Sequence, residues 1–129
     1  MDEKLRDILK AYLRDGKSND LLLEGFNAPL GSLSMRATMT HALGLVSSKE
    51  YNEISILRKV RNKFAHEVQM CFEDQSVADL CSNLQFAARG EKETPRSLYT
   101  TSAVRIILNL TNRPNYVHKE KCTENSWPY

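Results

Sequence analysis

No stretch of this 129-residue chain approaches the roughly 20 consecutive apolar residues that a membrane span requires. The opening Met1-Asp2-Glu3-Lys4-Leu5 has no apolar leader region, so the expectation is a cytoplasmic protein with no membrane contact. Internal repeats and strand-like alternation are missing, which argues against solenoids and sheets. Cysteine is scarce. Cys71, Cys81 and Cys122 make an odd count with no C-x-x-C pair, which argues against a disulfide framework and for free thiols in a reducing compartment. The formal charge of +2 is too small for bulk attraction to nucleic acid, so any such contact depends on a local patch. No Gly-rich phosphate loop is present, nor a helix-turn-helix pair with a polar recognition helix. Neither Ser-His-Asp nor paired-carboxylate catalysis finds support in the residue pattern. His118 and Cys122 stand at a zinc-compatible i, i+4 spacing, but two ligands do not make a site, and no metal or cofactor is expected.

What is present is helical periodicity in a chain of ordinary globular composition, 41% apolar and 26% charged. Leu5, Ile8, Leu9, Tyr12 and Leu13 form a stripe that starts after Asp2 and ends near Gly16. Asn19 or Asp20 is placed to cap a short turn carrying Leu21 to Leu23, closed by Gly25, and Asn27 to Gly31 is turn chemistry. Ser32 to Leu43 reads as a helix with Leu33 and Ala37 on one side and Met35, Met39, Ala42 and Leu43 on another. Two apolar sides predict a central helix packed by several neighbours. Ser76 is placed to cap a helix carrying Val77, Leu80, Cys81 and Leu84. Thr94 caps another, with Pro95 at its first position and a buried face of Leu98, Tyr99, Ala103, Ile106, Ile107 and Leu110. The expected architecture is an all-α bundle of about five helices over residues 1–112, followed by an irregular tail over 113–129.

The most informative helix is Ser47 to His66. Ser47 and Glu50 have capping-box spacing ahead of Tyr51, Ile54, Leu57, Val60 and Phe64. At about 100° per residue the apolar positions define an arc of roughly 120°. Arg58, Lys59, Asn62 and Lys63 fall on the opposite side, and Arg58, Lys59 and Lys63, with Arg61 nearby, form a basic patch for RNA, DNA or an acidic partner. Arg61 instead projects on the flank of the apolar arc, and Glu53 near its centre. A desolvated ion costs several kcal/mol unless paired, so Arg61 is expected to meet a carboxylate, a subunit interface or a ligand. Glu53 lies about 12 Å from Arg61 along one helix, too far to pair within it. Two copies crossing antiparallel would join Glu53 of each to Arg61 of the other, which predicts a homodimer. Arg36 is a second inward charge, expected in an ion pair with Glu24 or Glu53 or beside Arg61.

Leu23-Glu24-Gly25-Phe26-Asn27-Ala28-Pro29-Leu30-Gly31, Ala42-Leu43-Gly44-Leu45, Glu50-Tyr51, Arg58-Lys59-Val60-Arg61-Asn62-Lys63-Phe64-Ala65-His66, Asp79 to Leu84 and Pro95-Arg96 together resemble the mannitol repressor family of bacterial regulators. The resemblance runs in order from about Leu21 to Leu110. It implies an all-helical negative regulator of transcription that acts through protein partners, with nucleic-acid contact not required. The stretch Arg61-Asn62 to His66 also resembles the R-polar-x-x-x-H motif of the HEPN superfamily, which implies a metal-independent ribonuclease or toxin as the alternative. There His66 would exchange a proton with a ribose or leaving oxygen, Arg61 would bind the scissile phosphate, Asn62 would orient the substrate, and Arg58 and Lys63 would steer the backbone.

Overall fold

The computed structural model describes residues 1–129, all helix and loop, with no strand. The elements are α1 (Asp2–Tyr12), α2 (Lys17–Leu23), α3 (Leu33–Ala42), α4 (Ser48–His66), α5 (Gln75–Ser82), α6 (Pro95–Thr111) and α7 (Arg113–Val117), then a 3-10 turn at His118–Glu120. The short α2 and α7 take the total above the expected five. No helix is long and apolar enough to cross a membrane. Contacts divide the chain into two units, Met1–Leu45 with Leu110–Tyr129, and Val46–Asn109.

In the first unit α1 is the core helix. Leu5, Ile8 and Leu9 are fully buried, as the i, i+3, i+4 stripe predicts, and α1 packs on α3 and α7. Ser32 caps α3 by accepting from the Met35 amide. The far end of α3 closes through Gly44 at φ +76: the Leu45 amide donates to Thr40 O at 2.8 Å and the Gly44 amide to His41 O at 3.0 Å. Those are the paired bonds of a Schellman cap, which requires a left-handed residue at this position. Only one side of α3 is buried (Leu33, Arg36, Ala37, Thr40), and Met35 and Ala42 are exposed, so the two-sided central helix is not what forms. Methionine and alanine tolerate water well enough that an apolar residue alone does not identify a packed face. Residues 113–120, expected as part of an irregular tail, are helical. Val117 is buried, and Arg113 donates to Leu45 O at 3.2 Å.

In the second unit α4 supplies Ile54, Ile56, Leu57 and Val60 to the core and packs on α5. The capping box forms as predicted, with Ser47 Oγ accepting from the Glu50 amide at 3.1 Å and Glu50 accepting from the Ser47 amide at 2.9 Å. α5 begins two residues earlier than its apolar pattern suggests, after Asp74 rather than Ser76. α6 starts at Pro95, and Thr94 and Ser97 exchange hydrogen bonds across its first turn.

Candidate functional site

The capping box fixes where α4 begins, and its apolar arc fixes which side faces inward. The buried residues of α4 are Glu50, Glu53, Ile54, Ile56, Leu57 and Val60, and none follows Val60. The last turns therefore extend past the core. Lys59, Arg61 and His66 are exposed there, and Arg58, Asn62 and Lys63 are half-buried. Arg58, Lys59, Arg61 and Lys63 make no ion pair within the chain. Lys63 and His66 occupy the last turn, where a cation complements the negative end of the helix dipole.

Aromatic packing holds these turns in place of a core. Phe64 meets Phe72 at 4.8 Å between ring centroids, Phe72 meets Tyr99 at 5.7 Å, and the Arg96 guanidinium lies 4.9 Å above the Phe72 ring. The result is a basic surface on a fixed helix end, its cations unmatched by acids of their own chain.

The two residues of the expected intersubunit pair, Glu53 and Arg61, are placed very differently. Arg61 meets no carboxylate of its own chain, because its angular position lies on the apolar flank but its axial position is beyond Val60, where nothing covers it. Glu53 is unsuited to an intersubunit pair with Arg61. Its side chain is fully buried, accepting from the Gln85 amide (2.9 Å), the Phe86 amide (2.9 Å) and Ser102 Oγ (2.6 Å). A carboxylate held by three internal donors has no face to offer another chain. It ties the loop after α5 and the middle of α6 to α4 instead.

Arg36 does make an ion pair, but with Asp2 rather than Glu24 or Glu53. At 8% exposure it donates through Nη1 to Asp2 Oδ1 (2.8 Å), through Nε to Leu30 O (2.7 Å) and through Nη2 to Leu23 O (3.1 Å). The guanidinium fork thus clamps both ends of the Leu23 to Leu30 loop. Glu24 pairs with Lys10, whose ammonium holds the Glu24 carboxyl below its ordinary range.

Phe26 was not marked by the sequence pattern, and it is 97% exposed at the tip of that clamped loop. Its neighbours Gly25 and Asn27 both take positive φ, +92 and +60. Turn residues announced the bend, but no signal announced an outward aromatic ring. A second omission is a groove of about 320 Å3 on α6, between Phe86 and the exposed Val104 and Leu108, with Arg105 lying 5.1 Å over Phe86.

For the ribonuclease triad, Arg61, Asn62 and His66 lie within the last two turns of α4, and no side-chain hydrogen bond joins them.

A family model described as mannitol repressor matches residues 19–111, which takes in the resemblance seen between Leu21 and Leu110. No curated protein and no solved structure matches the chain.

Proposed function

Since the chain belongs to the mannitol repressor family through residues 19–111, we propose that it is a negative regulator of transcription acting through a protein partner rather than by reading bases. The observation that carries this reading is the end of α4. Arg58, Lys59, Arg61 and Lys63 are presented on a helix fixed by Phe64, Phe72 and Tyr99, with no acid of the chain opposite them. Unneutralised cations on a rigid element steer and orient an oppositely charged surface, and complementary charge acts on encounter rate and specificity more than on raw affinity. The partner is thus a protein with an acidic face. A homodimer belongs to the same reading, but its contact does not run through Glu53.

The ribonuclease reading draws support only from the local run Arg61-Asn62 to His66. Two measurements on the purified protein separate the readings. Titration onto operator DNA in fluorescence anisotropy is expected to show no sequence preference at physiological salt. Incubation with RNA in EDTA is expected to leave the RNA intact. Sequence-selective DNA binding by the protein alone overturns the indirect mechanism. Metal-independent RNA cleavage that is lost in His66→Ala replaces it with the enzymatic one.

A further inference from the structure

The loop that carries Phe26 is built to hold an apolar side chain out in water. Arg36 bonds Leu23 O and Leu30 O, and the Leu30 amide donates to Leu22 O at 2.8 Å, so the loop is tied shut at its base. Gly25 at φ +92 and Asn27 at φ +60 turn the backbone on either side of Phe26, in a region that glycine and asparagine tolerate best. The ring between them is 97% exposed, and Leu21 on the adjoining α2 is exposed as well. A large apolar side chain on a preorganised loop loses little further freedom when it docks, which is the character of an interface anchor. Asp20, the exposed neighbour of Leu21, enters no ion pair.

The α6 groove is its counterpart. Val104 and Leu108, one turn apart on α6, are exposed, and with Phe86 and Ala88 they give the groove apolar walls. Its volume of about 320 Å3 exceeds the roughly 150 Å3 in which an apolar cavity takes up a benzene ring. Phe86 offers an entering ring an aromatic neighbour. Arg105 lies over Phe86 and makes no ion pair, so the groove carries an open cation where the loop carries an open carboxylate. Phe26 does not fill the groove of its own chain, since its ring is exposed.

We propose that two copies of the chain dimerise by exchanging these features: Phe26 of each enters the α6 groove of the other. Leu21 then lies against Val104 and Leu108, and Asp20 turns towards Arg105. Burial of the apolar side chains carries the affinity, and the charges set the register. The exposed parts of Phe26, Leu21, Val104 and Leu108 amount to about 500 Å2 of apolar surface in one such contact. One contact falls short of the roughly 1,200 Å2 that a stable interface buries, and two contacts with their polar rim reach it. A second copy supplies both halves, and reciprocal exchange closes the pair about a twofold axis. The proposal rests on the homodimer of the regulatory reading and not on the α4 end, so its failure leaves the acidic partner of α4 untouched.

Sedimentation equilibrium of the full chain, of Phe26→Ala and of Leu108→Glu tests it. The native chain is expected to pass from monomer to dimer in the micromolar range. Both substitutions fall at exposed positions, so each variant should melt within a few degrees of the parent. Each should raise the dissociation constant at least about thirtyfold, the loss of one interface anchor. The decisive sample is an equal mixture of the two variants. Either variant alone lacks both contacts, but Phe26→Ala keeps its groove and Leu108→Glu keeps its ring, so the mixed pair regains one contact. It should therefore associate about tenfold more tightly than either variant alone. A native chain that stays monomeric throughout overturns the proposal and leaves ring and groove to other proteins. A dimer retained by either variant also overturns it, as does a mixture no tighter than its components, which would place Phe26 against Phe26 or α6 against α6.

Discussion

Glu53 and Arg61 are eight positions apart on one helix, and they show how differently two charges of α4 are placed. Glu53 is fully enclosed and holds two loop amides and Ser102 to α4. Its replacement by alanine removes the acceptor from three donors and leaves a cavity, so Glu53→Ala should cost about 3–5 kcal/mol in urea unfolding. Glu53→Gln keeps the shape and places an NH2 against one or more of the same donors, and should cost about 1–3 kcal/mol. Arg61 has no partner to lose within its chain, and Arg61→Ala should change the stability of the isolated chain by less than about 0.5 kcal/mol. A loss of several kcal/mol at Arg61 would mean that the side chain is paired after all. Both residues were legible in the sequence as unusual. What was not legible is that helical periodicity reports the angle of a side chain about the axis and says nothing of how far the neighbouring cover reaches along it. Arg61 lies where the angle says inward and the length says solvent.

At the level of elements, the starts and stops followed from local chemistry wherever a capping side chain or a glycine made the decision. Ser32 and Ser47 open α3 and α4, and Gly44 closes α3. Where no side chain caps, the prediction slipped. α2 begins after Gly16, placing Asn19 inside the helix rather than at its start, and α5 begins after Asp74, whose side chain is turned back to the Cys71 amide and thiol. The turn chemistry of Asn27 to Gly31 was recognised, but the clamp on the loop was not, since Arg36 reaches carbonyls six and thirteen residues before it, outside its own helix. Arg36→Lys keeps a cation for Asp2 and gives up the fork, so it should cost about 1–3 kcal/mol and speed hydrogen exchange within the loop. The pair between Lys10 and Glu24 joins α1 to the residue that ends α2, and it carries a pH dependence of known sign. The Glu24 carboxyl is held below its usual range in the folded chain, so the pair's contribution is present above the unfolded carboxylate value and fades as pH falls through the folded one. Lys10→Met should therefore lower stability at neutral pH, make no difference below the folded Glu24 value, and so flatten the fall in stability between the two.

Over the whole molecule, the all-helical class was evident from the missing alternation and the recurrent 3.6-residue stripes. The contribution of the chain ends was not, because the residues after Asn112 are polar and their helical turns are held by individual contacts such as Val117 in the core and Arg113 on Leu45 O. The family match stops short of both ends, omitting α1 and α7, yet α1 supplies Leu5, Ile8 and Leu9 to the first unit and Asp2 to Arg36. A chain cut to residues 19–111 should consequently lose the cooperative unfolding transition of the first unit in calorimetry, whereas one that melts like the full chain would show α1 to be dispensable.

The most direct test of the regulatory reading joins these scales at one surface. In a transcriptional reporter driven by a promoter that the parent protein is first shown to repress, the combined variant Lys59→Glu, Arg61→Glu, Lys63→Glu should lose repression while its melting temperature stays within a few degrees of the parent, because none of the three charges is paired inside the chain. Full repression by that variant at equal expression would contradict the assignment of the α4 end as the working surface.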